Sequence, residues 1–135
     1  MTLKRPPLNW FRHRPELETL EDVGPLIGEP TIGLIEFWED GHTWPPLQLF
    51  ERFKSSLRLA GWSAAEFLLD HQANIPPEWH RFHLVFPGTI RTDSAGRLYV
   101  ACLMWHHALQ QWILMFPGGG SHGYRLVHFI KEAEN

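Results

Sequence analysis

Apolar residues recur along this chain with two different spacings, and the change of spacing divides it. From Leu47 they return at Phe50, Phe53, Leu57 and Ala60, with Glu51, Arg52, Lys54, Ser55 and Ser56 between them. Steps of three and four predict an amphipathic helix. Thr43, Trp44, Pro45 and Pro46 suit its entry, because a proline in the first turn loses no hydrogen bond, and Gly61 suits its end. Ser63 with Glu66 three residues later predicts a capping box for a second helix, which ends before Pro76-Pro77. Beyond Trp79 the period shortens towards two, and apolar segments at 81–86, 98–105, 111–116 and 124–131 read as strands. Pro87-Gly88, Ser94-Ala95-Gly96 and Pro117-Gly118-Gly119-Gly120 separate them with turn chemistry.

Two elements precede the helices. The β-branched and aromatic run 31–39, closed by Asp40-Gly41, predicts a first strand, and Pro15 followed by Glu16, Glu18, Glu21 and Asp22 predicts a short helix over 15–22. The expected architecture is α+β. One N-terminal strand, two helices and a four-stranded meander form a curved antiparallel sheet packed in a roll on a helix pair. Residues 1–14 form a basic and aromatic arm, and 15–135 a single domain.

The second and third of those late segments carry an unusual pattern. Paired as a hairpin, they put Leu98, Val100, Cys102 and Met104 with Ile113 and Met115 on one face, and Tyr99, Ala101, Leu103 and Trp105 with Trp112, Leu114 and Phe116 on the other. Both faces are apolar, so both need cover. A helix pair covers one face. For the second, the sequence offers a curl of the sheet, the N-terminal segment with Trp10 and Phe11, or another copy of the chain, and this points to a homodimer or a ligand-lined interior.

Composition narrows the class. The 135 residues are 44% hydrophobic and 20% charged, which suits one folded domain. Net charge is −3, so a surface built to neutralise phosphates is not expected. Lys4, Arg5, Arg12 and Arg14 interleave with Trp10 and Phe11 as a nucleic-acid arm would, but four cations followed at once by acids fit an arm folded on its own protein better. A single cysteine, Cys102, forms no internal disulfide, no secretory signal pattern opens the chain, and the longest apolar stretch, 98–116, is broken by His106, His107, Gln110 and Gln111. The expectation is a cytoplasmic protein with no membrane span.

Candidate chemistry is sparse. Nine histidines are scattered without ligand spacing, with no His-Glu-x-x-His and no paired cysteines, so neither a metal site nor a cofactor is expected. Glu36, Glu39, Asp40 and His42 gather at the end of the first strand. If Glu36 faces inwards, it is a candidate general base with His83 or His128 as the second proton carrier. The glycine-rich run from Phe116 to Gly123 could lower Ser121 and His122 over a pocket, although it lacks the lysine of a phosphate loop. Trp44, Trp62 and Trp79 fall at element boundaries and suit packing, whereas Trp38, Trp105 and Trp112 lie in or at the ends of strands and suit a ligand wall. The sequence thus points to a homodimeric binding protein with an aromatic pocket between sheet and helices. An acid/base enzyme and a protein-interaction adaptor or inhibitor are the alternatives.

Overall fold

A computed structural model of the protein describes residues 17–23, 31–37, 45–115 and 123–130. The N-terminal arm, Trp38, Glu39, Asp40, His42, Trp44, Ser121 and His122 lie outside the described residues. Among the described residues the fold is α+β, with a seven-stranded sheet and two helices. In chain order these are β1 (Glu18–Asp22), β2 (Ile32–Ile35), α1 (Pro46–Phe53), β3 (Arg58–Leu59), α2 (Trp62–Asp70), β4 (His83–Thr92), β5 (Leu98–His106), β6 (Gln111–Met115) and β7 (Tyr124–Phe129). Two short 3-10 turns, Gln72–Asn74 and Pro77–Arg81, join α2 to β4.

The strand order is β2-β7-β4-β5-β6, with β1 added on β4 and β3 on β7. The expected meander therefore holds only through β6. β7 crosses back to lie parallel to β4, His83 to Val85 aligning with Tyr124 to Leu126. Its composition explains the move. Leu126 and Val127 are both fully buried and point to opposite faces, so β7 suits the middle of a sheet better than the edge beside β6.

Each face of the sheet has its own core. On one, Leu49 and Phe50 of α1 pack with Val85, Ile90, Val100, Cys102 and Leu126. On the other, Ala64, Ala65, Leu68 and Leu69 of α2 pack with Leu84, Phe86, Ala101, Leu103, Leu114 and Val127. The helices thus lie on opposite faces and do not form the expected pair on one. β3 is the reason. The predicted first helix stops at Phe53 instead of continuing to Ala60, and the chain enters the sheet at Arg58 and Leu59 before leaving on the far side as α2. Ala60 N–H donates to Val127 O at 3.2 Å and Ala60 O accepts from Gly88 N–H at 2.9 Å, so this crossing fills the gap where β4 parts from β7.

That passage explains Pro87-Gly88, which lie inside β4 at a register shift between Phe86 and Ile90 and not at a turn. A Cβ on Gly88 would sit 2.9 Å from the Ala60 backbone and 2.8 Å from Val23 Cγ2. Only glycine permits that approach. The acidic segment differs from expectation as well: residues 18–22 form β1, antiparallel to Thr89–Thr92 of β4, instead of a helix. A helix of two turns is marginal alone, whereas the open side of β4 offers a full ladder. α2 also starts earlier than the capping-box pattern implied. Gly61 is its N-cap, and the first helical N–H, on Trp62, is taken by Thr89 Oγ1 at 2.7 Å.

Candidate functional site

The segment that returns the chain from α2 to β4 places most of the polar and aromatic side chains of interest on the α2 face. Gln72 is the first. Its Oε1 accepts the Trp112 N–H at 2.7 Å and its Nε2 donates to Trp112 O at 3.1 Å, so one side-chain amide substitutes for a neighbouring strand along β6. His80 follows on the second 3-10 turn. Its ring stacks on Trp105 at 3.7 Å and 6°, and meets Trp112 edge-on at 5.6 Å. Trp105 and Trp112 stand directly opposite each other on β5 and β6, with ring centroids 5.9 Å apart.

Two of the tryptophans expected to meet a ligand are therefore brought together, but as packing partners. Trp112 is fully buried, and its indole N–H has no hydrogen-bond partner among the described residues. One face of Trp105 is covered by His80.

A cleft of about 320 Å³ opens on the same side, between β2, α2 and the 3-10 turns. Ile32, Phe67, Leu68, Pro76 and Trp79 supply its apolar wall, and Thr31 and Asn74 its polar groups. No charged residue lines it among the described residues. Phe67 is held from behind by His71, whose ring stacks on it at 4.2 Å while His71 Nδ1 lies 2.8 Å from Phe67 O. None of these lining residues was singled out for binding from the sequence, where Trp79 read as a packing residue. The signal available was local: Pro76-Pro77 ends the helix and forces Trp79 and His80 onto a tight turn against the sheet.

The proposed proton-transfer group is dispersed. Glu36 follows β2, is exposed, and approaches Arg125 Nη2 at 3.8 Å. Ile32 and Leu34 belong to the α2-side core, and Glu36 continues their alternation, as Arg125 does that of Val127. His83 and His128 alternate to the α1 side. His83 lies edge-on to Tyr124 at 4.7 Å, and the His128 ring lies across Gly33, where a Cβ would sit 3.0 Å from Nε2. The sheet separates Glu36 from both histidines, which are themselves roughly 13 Å apart along the strands at 3.3 Å per residue. Glu36 faces solvent, so the condition on which it would serve as a general base is not met.

Burial lowers the His83 pKa below that of free imidazole and raises that of Cys102 far above the usual thiol range, which leaves Cys102 an inert core residue. Tyr124 is raised too, by burial. Among the described residues no three His, Cys, Asp or Glu side chains converge to hold a metal, and no helix is long and apolar enough to cross a membrane. No family model, characterised protein or solved structure matches this chain.

Proposed function

We propose that this protein is a small-ligand binding domain whose site is the cleft on the α2 face. The observation that carries the reading is the cleft, whose volume reaches the lower end of the range of small-molecule sites. Its composition has the usual character of such sites, an apolar and aromatic wall with few polar groups. The wall is partly prearranged, because Leu68 belongs to the α2-side core and Phe67 and Trp79 pack against it, so less ordering opposes binding.

A second copy is not needed for this site. α1 and α2 supply a helix to each apolar face of the β5–β6 hairpin, so its cover does not call for a second copy. The site lies outside the hairpin sequence and is drawn from one chain.

The test is a thermal-shift screen of the chain and its Asn74→Trp variant against neutral aromatics, acyl compounds, sugars, amino acids and nucleotides. Asn74 is exposed at the cleft, so the larger ring obstructs the site without entering the core. A ligand at a hundred times its Kd adds about 2.7 kcal/mol, which for a domain of this size raises Tm by roughly 10 °C. The expected result is a clear rise for one class that Asn74→Trp abolishes. Silence across all classes, or a rise that survives the substitution, overturns the reading.

A further inference from the structure

We infer that the cleft takes a small, uncharged, planar aromatic molecule, an inference that rests on the binding reading above and narrows it to one ligand class. Size comes first. A cleft of about 320 Å³, open to solvent on one side, seats a small ring system and leaves a longer ligand to project from its mouth.

Polarity comes second. The described lining side chains offer one hydroxyl, on Thr31, and one amide, on Asn74. A sugar of this size carries a hydroxyl on almost every carbon, and most of them would lose water without gaining a partner. A ligand with one donor or acceptor is satisfied by this pair. Charge comes third. The described lining side chains carry no charge, so an ionised ligand gives up hydration against apolar carbon and receives no counter-charge from them, which disfavours it by roughly tenfold or more.

Shape decides among the remaining neutral compounds. Phe67 and Trp79 both line the cleft and pack against the α2-side core, which gives the site two aromatic walls. Ring pairs in offset or edge-on contact gain beyond what buried area supplies, so a planar ligand is preferred to a saturated one of equal size.

The experiment measures binding to the full chain by titration calorimetry at pH 7 with four probes of nearly one size: 2-naphthalenemethanol, its decahydro analogue, 2-naphthoate and 2-naphthylmethylammonium. The neutral aromatic alcohol is expected to bind tightest, the saturated alcohol roughly two- to tenfold more weakly, and both ions roughly tenfold or more weaker still. Asn74→Asp, which adds one charge at the mouth, is expected to weaken naphthoate further and to recover part of the binding of the ammonium probe. Asn74→Trp is expected to abolish binding of the alcohol. An ion binding as well as the alcohol, or equal binding by the saturated analogue, overturns the inference and leaves the binding reading in place. If no probe binds but another class stabilises the chain and loses that effect in Asn74→Trp, the ligand class is wrong and the site is right. If nothing binds in either experiment, the binding reading fails and the inference with it.

Discussion

The Thr89 hydroxyl accepts from Trp62 N–H at 2.7 Å and donates to Asp22 Oδ1 at 2.8 Å, so one atom joins β1, β4 and the start of α2. Thr89 is the buried polar side chain of the described core. Replacing it with valine keeps the shape and removes both bonds. The Trp62 N–H and Asp22 then lose a partner, which costs about 1–3 kcal/mol; urea unfolding of Thr89→Val should show that loss, and Thr89→Ser should recover most of it. His83 gives a second prediction at this scale. Burial holds its pKa below 6.5 in the fold, so the unfolded chain takes up the proton first as pH falls. Its contribution is complete above pH 6.5 and drains away below that value until the folded pKa is reached. Unfolding measured at pH 7.5 and pH 5 should therefore show a smaller loss of stability in His83→Phe than in the parent chain. Neither role was visible in the residues alone. Thr89 sits next to Pro87-Gly88, a turn signal, and the partner that makes its hydroxyl useful is 27 positions away.

Among the elements, β6 shows how an edge is protected. Its outward N–H and C=O at Trp112 are both taken by the Gln72 amide, leaving less of a template for another strand. Gln72→Ala deprives the buried Trp112 backbone of two bonds and should destabilise the chain by about 1–3 kcal/mol. Gln72→Glu keeps an acceptor for the N–H but sets an oxygen against the Trp112 carbonyl, so it should not restore the parent stability in the same unfolding assay. The hydrophobic pattern located β4 to β7, β2 and both helices, because period and turn chemistry are local properties. It misplaced the C-terminal end of α1, the start of α2 and the nature of β1. Leu57 and Ala60 continue the helical spacing of Leu47, Phe50 and Phe53, yet their burial is supplied by the sheet crossing. The strand at 18–22 depends on an open side of β4 that no local pattern reveals.

Across the whole molecule, the placement of α1 and α2 on opposite faces makes a quantitative statement. Phe50 belongs to the α1-side core and Leu68 to the α2-side core, with the sheet between them. Phe50→Leu and Leu68→Val should each destabilise the chain, and their effects should add to within about 0.5 kcal/mol in the double variant. A coupling above roughly 1 kcal/mol in denaturant unfolding would mean one shared core, as in a roll. Because each face has its own helix, light scattering at micromolar concentration should give the monomer mass of 15.8 kDa. A species of twice that mass would restore the dimer.

The α+β class, the doubly apolar β5–β6 hairpin and its facing pairs were legible in the chain, since alternation along a strand dictates which residues share a face. The same rule placed Trp105 opposite Trp112. Which helix covers which face, the parallel return of β7 and the cleft beside Trp79 were set by the three-dimensional packing. Each depends on contacts between residues far apart in sequence, and a period of two or 3.6 carries no information about the partner. Glu36 shows the difference most plainly. Its position at the end of a strand could be read, but the side of the sheet it faces, and so its arginine neighbour in place of a histidine, followed from how β2 was laid against β7.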